Sequence, residues 1–166
     1  MNAHERREFV RAHRTGVFGY GRRYHGPAMT VVYYVMDGDD ILVSTMAERA
    51  KAKAVARDPR VSLCVLDEKW PPTYLLVYGT ARIVTDFEAV VDLGMRIMAL
   101  MAQQPMPESL RPHVAERARR EQRVMLRITP HMTFESPPRH VYKPDDVKRL
   151  THDLGTSLPW AQPRSV

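Results

Sequence analysis

Cysteine is almost absent from this chain, whose 166 residues contain Cys64 alone. One cysteine excludes an intramolecular disulfide and a cysteine cluster for zinc, and such usage is typical of a reducing cytoplasm. No apolar run approaches the roughly 18 residues of a membrane-spanning helix. The charged start MNAHERREFVRAHR also lacks the apolar centre of a signal peptide. These absences predict a cytoplasmic protein that does not enter a membrane.

Two further patterns are missing. The seven histidines have no partners at the spacing of a metal site, so we expect no bound metal. The basic segment ERARREQR contains no aromatic residue, although nucleic-acid surfaces usually interleave cations with stacking aromatics. We therefore expect no nucleic-acid partner. The net charge of +6 then favours an anionic ligand of another kind.

Runs rich in β-branched and aromatic residues dominate the middle of the sequence. Strands are predicted in TGVFGYGRRY, over 28–36, 41–45, 60–67 and 74–84, and in the two late segments VMLRIT and MTFES. Helices are predicted near the start, after residue 44, from a capping box formed by Thr85 and Glu88, and in ESLRPHVAERARREQR. Strands joined mainly by hairpins form an antiparallel sheet that avoids free edges by closing. The predicted fold class is mainly β (α+β), an antiparallel barrel with three or four peripheral helices.

The length of the chain favours one domain with a single core. Six of the thirteen prolines lie from Pro130 onward, and proline clusters interrupt regular elements. We therefore predict a barrel domain over 1–136 and an extended, proline-rich C-terminal tail over 137–166.

The stretch STMAERAKAKAVAR changes within a few residues from the end of a strand to an alanine-rich basic helix. With the helix beginning near Ala47 or Glu48, its free backbone N–H groups and dipole favour an anion. Two hydroxyls, from Ser44 and Thr45, and two cations, from Arg49 and Lys51, then converge on a space the size of a phosphate.

A simpler interpretation of the same helix remains open. Arg49, Lys53 and Arg57 recur every four residues, which is the spacing of one helix face. Such a stripe of cations is often only a solvated surface.

The segment ILVSTMAERAKAKAVARDPRVSLCVLD, followed by YLLVYGTARIV, resembles the flavin- and deazaflavin-binding split-barrel family related to pyridoxamine 5'-phosphate oxidase. The resemblance runs from RTGVFGYG through VYGTARIV and into RITPHMTFESP. It implies an antiparallel split β-barrel that forms a homodimer, with each cofactor at the subunit interface. The cofactor-binding residues it implies are Ser44, Thr45, Arg49, Lys51 and Lys53 around the phosphate, Thr30, Val31 and Val43 along the ring system, and Tyr78 and Gly79 on the far side of the ring.

The R-x-K pattern and the RDPRVSL strand entry are most similar to the branch of this family that uses the deazaflavin coenzyme F-420. The function this implies is an F-420-dependent oxidoreductase that transfers hydride to a small conjugated organic acceptor. Two alternatives remain open: an oxidoreductase that binds flavin mononucleotide (FMN), and a non-catalytic carrier of flavin, deazaflavin or haem. Since the cofactor carries the difficult chemistry, no catalytic side chain is assigned. Basic residues such as Arg57, Arg60 and those of ERARREQR could meet the polyglutamate tail of F-420.

Overall fold

The computed structural model describes residues 1–69, 73–135 and 156–161. Within these residues, none of the helices combines the length and the apolar character needed to cross a membrane. The strands are β1 (Thr15–Tyr20), β2 (Ala28–Asp37), β3 (Asp40–Met46), β4 (Arg60–Asp67), β5 (Thr73–Val84), β6 (Arg123–Glu135) and β7 (Thr156–Pro159). The helices are α1 (Ala3–Ala12), α2 (Ala50–Arg57), α3 (Phe87–Ala102) and α4 (Arg111–Arg120), with a 3-10 turn at Glu108–Leu110 before α4.

The seven strands form one sheet in the order β3-β2-β1-β4-β5-β6-β7, and β3 also pairs with β6. This second pairing closes β1 to β6 into a six-stranded barrel, to which β7 is added. All of the recorded strand pairings are antiparallel. The predicted class, a mainly β antiparallel barrel with peripheral helices, is confirmed.

Strand β6 is continuous, although the sequence predicted two strands on either side of Pro130. The register between β5 and β6 shifts at Tyr78 and Gly79, so that Gly79 lies opposite Pro130 and Tyr78 opposite Met132. The extra residue, His131, forms a bulge and its carbonyl accepts a hydrogen bond from the Trp160 backbone at 3.2 Å. Proline is tolerated at such a bulge, where the regular ladder is already interrupted.

The starts of two helices also differ from the predictions. Helix α2 begins at Ala50, because residues 47–49 form a turn in which the Arg49 N–H donates to the Met46 carbonyl at 3.1 Å. Helix α3 is capped by Asp86, whose carboxylate accepts from the Ala89 N–H at 2.8 Å. The predicted capping box of Thr85 and Glu88 is therefore wrong by one residue, since both Thr and Asp are good caps.

Apolar side chains form two cores. The first fills the barrel and includes Phe18, Tyr34 and Leu126. The second lies between the outside of the barrel and the helices α3 and α4, and includes Leu42 and Val91. The helices therefore cover one side of the barrel and leave another side of the sheet exposed.

Part of the predicted C-terminal tail returns to the barrel. Strand β7 pairs with residues 132–135 of β6, and Trp160 is buried in the barrel core with 3% of its surface exposed. From α1, the buried Arg6 guanidinium donates to the Pro159 carbonyl, and Arg7 donates to the Trp160 carbonyl at 3.2 Å. The remainder of the predicted tail, residues 137–155 and 162–166, lies outside the described residues.

Candidate functional site

A cleft opens where β2 and β3 separate. Their ladder runs from the Asp37–Asp40 pair only as far as Tyr34 and Val43. Beyond that pair β3 continues along β6, while β2 continues along β1. Among the described strands none pairs with the β3-facing edge of residues 29–33, so alternate backbone groups there have no ladder partner from these strands. The cleft measures about 420 Å³.

Cations gather at the end of this cleft beside α2. Arg49 is the residue that precedes the helix, and its own side chain makes no capping hydrogen bond. Lys51 lies in the first turn, where burial lowers the pKa of its ammonium and the neighbouring Arg49 lowers it further. Arg123, at the start of β6, lies across from them and donates from Nη1 to Ser44 Oγ at 3.1 Å. This arrangement suits a phosphate group.

One residue of the cleft has a buried polar atom without a partner in the part of the chain that the structure describes. Thr30 Oγ1 is buried and has no hydrogen-bond partner among the described residues. A buried hydroxyl without a partner costs free energy. A ring system with polar edges, lying along β2, would supply that partner and would also engage the unpaired backbone of residues 29–33. The cations, the orphaned hydroxyl and the open strand edge therefore fit a phosphorylated planar cofactor.

The structure brings most of the predicted site residues together. The predicted residues that line the cleft are Thr30, Val31, Ser44, Thr45, Arg49 and Lys51. Four predicted residues do not line it. Val43 is fully buried in the barrel core, and Lys53 forms an ion pair with Glu48 at 2.6 Å. Tyr78 and Gly79 lie at the β5–β6 bulge.

Sequence reasoning missed four residues of the cleft: Tyr20, Met46, Ala50 and Arg123. Arg123 is separated from Ser44 by 79 residues and comes beside it only through the β3–β6 register. No local pattern in the sequence carries that register. The sequence did show a high density of arginine in ERARREQR. That density indicated a basic region but did not identify Arg123 as the residue that lines the cleft.

A second, shallower groove continues from the cleft along the loop between β1 and β2. It shares Tyr20 and Ala50 with the cleft. Four of its ten lining residues are cationic, Arg22, Arg23, Lys53 and Arg57, and they lie among apolar surface. Arg57 also donates to the Gly21 carbonyl at 2.9 Å, which fixes the loop against α2. Within the described residues, no cluster of acidic, histidine or cysteine side chains is suited to hold a metal ion.

Comparison with known structures identifies several split barrels. The conserved hypothetical protein Rv2991 of Mycobacterium tuberculosis is 26% identical over 87% of this chain and 89% of its own, with a TM-score of 0.73. An F420 reductase is 21% identical over 72% of this chain and 88% of its own (TM-score 0.56). The heme storage protein HutZ of Vibrio cholerae is 15% identical over 76% and 87% (TM-score 0.56). Below 25% identity, these similarities establish the fold alone.

A search of curated protein sequences gave no significant match. The profile of the family described as pyridoxamine 5'-phosphate oxidase, however, matches residues 3–135, which include every strand of the closed barrel and the whole cleft. By this match, and by the barrel that it spans, the chain belongs to the pyridoxamine 5'-phosphate oxidase family.

Proposed function

We propose that this protein is an oxidoreductase that binds the deazaflavin coenzyme F-420 and transfers hydride to a small conjugated organic acceptor. The observation that carries the proposal is the cleft between β2 and β3. It combines cations at one end with an unpaired strand edge and an orphaned hydroxyl along its length. One structural neighbour is an F420 reductase, which is consistent with this cofactor.

Each part of the cleft has a role in this proposal. Arg49, Lys51 and Arg123 hold the phosphate, and Ser44 contributes a hydroxyl at the same point. The backbone of residues 29–33 and Thr30 Oγ1 orient the ring system. When bound, the deazaflavin supplies the hydride, so the chain itself needs only to position the ring and to exclude water from one of its faces.

The basic groove beside the cleft favours F-420 over FMN. A polyglutamate tail that leaves the phosphate would pass Arg22, Arg23 and Arg57, whereas FMN ends at its phosphate and does not reach them. Lys53 also lines the groove but is already paired with Glu48. Arg60, which the sequence also suggested, is less suited to the tail. It is paired with Asp58 through two side-chain hydrogen bonds of 2.9 and 2.8 Å. These bonds also lower the pKa of Asp58 to about 2.

The proposal includes a homodimer that completes the site. Large apolar side chains are exposed on four strands of the barrel: Met29, Val31 and Tyr33 on β2, Leu66 on β4, Tyr78 on β5 and Met132 on β6. Met29 and Val31 are 71% and 74% exposed, and exposed apolar surface of this kind is typical of an interface. Val31 also lines the cleft, so a second copy on this surface would cover the ring. The cytoplasmic location remains a prediction from the single cysteine.

Separate titrations with F-420 and with FMN test the choice of cofactor. We expect both cofactors to bind saturably, with the phosphate at the cationic end of the cleft. F-420 should bind more tightly, because F-420 alone has a tail that reaches the basic groove. Arg22→Gln/Arg23→Gln is expected to weaken F-420 binding and to leave FMN binding unchanged. Equal losses for the two cofactors would contradict a role for the groove in holding the tail.

Hydride transfer is tested with reduced F-420 and a panel of quinones and enones. If the absorbance of an acceptor decreases only when the protein is present, the result supports oxidoreductase activity. Tight uptake of F-420 without turnover of any acceptor class would favour the non-catalytic carrier, and tighter binding of FMN than of F-420 would favour the FMN enzyme.

A further inference from the structure

A separate apolar cavity of about 110 Å³ lies between α3, α4 and the outside of the barrel. Its walls are formed by aliphatic and thioether side chains: Val90, Ile97, Met98, Val114 and Ala118. Interiors of proteins are usually filled to the density of organic crystals. An apolar cavity of similar size in another protein, about 150 Å³, stays dry and accepts benzene.

The cavity does not arise because the two helices are far apart. Gly94 lies on its wall, and a Cβ atom added there would come within 2.6 Å of Val114 Cγ1. The helices are therefore in close contact at Gly94 while the space beside it stays open. Met101, 51% exposed, lies on the wall where the cavity reaches the surface, and methionine adapts easily to different apolar ligands.

Polar groups are confined to Ser44, Arg117 and Arg123. Glu121 accepts from Arg117 Nε at 3.2 Å and from Arg123 Nε at 2.6 Å, so that two guanidinium groups share one carboxylate. This group has a net charge of +1. Because each guanidinium carries five N–H donors, several remain available to a second anion.

We propose that this cavity is a binding site for a small amphipathic carboxylate. The apolar chain, about four carbons long by comparison with the benzene-sized cavity, lies among Val90, Met98 and Ala118. The carboxylate pairs with Arg117 and Arg123. The site lies behind Ser44 and is distinct from the cofactor cleft, although Ser44 and Arg123 border both. It needs no cofactor, so it can be tested whether or not the proposed function holds.

The probe is pentanoate, and 1-pentanol serves as the uncharged molecule of equal chain length. Methyl-labelled methionine provides reporters at both places, since Met98 and Met101 line the cavity and Met46 lines the cleft. Leucine substitutions assign the three methyl signals. We expect pentanoate to shift the Met98 and Met101 signals saturably, with a dissociation constant on the order of 1 mM, as for other very small ligands. Pentanol should bind more weakly.

Two variants and one control make the test specific. Arg117→Gln is expected to weaken pentanoate binding about threefold to tenfold, the loss of one charged hydrogen bond at a partly exposed position. It should leave pentanol binding unchanged. Ala118→Leu fills the cavity and should weaken both ligands at least tenfold, with a thermal melt to verify folding. Arg119→Gln is the matched control, because Arg119 stacks on the Phe87 ring instead.

Three results would overturn the proposal. One is the absence of a saturable shift at Met98 and Met101. Another is an unchanged affinity for pentanoate in Arg117→Gln. This variant changes a surface residue, so its result can be interpreted even if Ala118→Leu does not fold. The third is a shift confined to Met46, which would place the anion in the cleft.

Discussion

The cations of this protein differ in whether a carboxylate already neutralises them. Arg123 shares Glu121 with Arg117, and Lys53 is paired with Glu48. Within the described part of the chain, no acidic side chain is recorded in an ion pair with Arg49 or Lys51. These two cations are therefore free to bind an anion without first breaking an internal pair.

Replacing either free cation should weaken cofactor binding. Arg49→Ala and Lys51→Ala are each expected to cost about 1.5 to 3 kcal/mol, the scale of a charge-assisted hydrogen bond. The value for Arg49, which is the more exposed of the two, should lie at the lower end. Fluorescence titration with F-420 and with FMN measures both losses. Lys53→Ala is the matched control for FMN, since Lys53 lies outside the cleft; affinities equal to the parent's in all three variants would contradict the phosphate site.

The lowered pKa of Lys51 predicts a pH dependence. As the pH rises, Lys51 loses its proton earlier than an ordinary lysine, because burial disfavours the ammonium. Affinity for the phosphate should therefore fall at alkaline pH below the ordinary lysine range. Lys51→Arg keeps its charge and should flatten the titration measured from pH 7 to 10. The stability of the free protein changes with pH in the opposite direction. The unfolded chain binds the Lys51 proton more tightly than the folded chain does, so the contribution of Lys51 to the free energy of unfolding increases as the pH rises through the same window.

At the scale of one residue, the sequence could predict the cations that follow β3 but not their partner on β6. Ser44, Thr45, Arg49 and Lys51 are close in sequence, so a strand followed by a helix was enough to bring them together. Arg123 required the register of β3 and β6, the two strands whose pairing closes the barrel. The ion pairs of these cations could not be predicted either. Nothing in the sequence indicates that Lys53 pairs with Glu48 whereas Lys51 does not.

Among the elements, the long antiparallel pair of β5 and β6 depends on a glycine at its bulge. A Cβ atom at Gly79 would lie 2.8 Å from both Ile128 Cγ2 and the Thr129 carbonyl oxygen. Because one of these atoms belongs to the backbone, the neighbouring strand would have to move.

Gly79→Ala should therefore destabilise the protein by about 1 to 3 kcal/mol, as overpacked positions do. Gly26→Ala is the matched control, since a Cβ atom there would meet nothing within 4 Å. Urea unfolding of both variants measures the difference. Equal stability of the two variants would mean that the backbone of β6 can move at the bulge to accommodate the added Cβ atom at little cost in free energy.

The elements that were predicted well have strong local signals at both ends. Strand β4 was predicted over 60–67 and lies at Arg60–Asp67, because apolar residues alternate along RVSLCVLD directly after Asp58-Pro59. Strand β6 was divided in the prediction because Pro130 normally interrupts a ladder, and only the partner strand shows that it lies at a bulge. The start of α3 was misplaced because Thr85 and Asp86 are both good caps, and the backbone decides between them.

At the scale of the whole molecule, the described residues include exposed apolar side chains on β2, Met29 and Val31 among them, which the proposed homodimer would bury. Met29→Glu would place a charge on this surface, and burying an unpaired charge is costly. We expect the variant to be monomeric in analytical ultracentrifugation, whereas the parent should be a dimer. Met101→Glu is the matched control, because Met101 is also exposed but lies on α3. A monomeric parent would contradict the dimer directly.

The pairing of β3 with β6 also sets a time at which the protein can acquire its ligand during synthesis. Ser44 leaves the ribosome 79 residues before Arg123, and the two sides of the phosphate site do not exist as a unit until β6 has emerged. The nascent chain must therefore hold β3 without its second neighbour while α3 and α4 are translated. Binding of the proposed cofactor would consequently follow barrel closure, and a chain stalled before residue 123 should be unable to retain it.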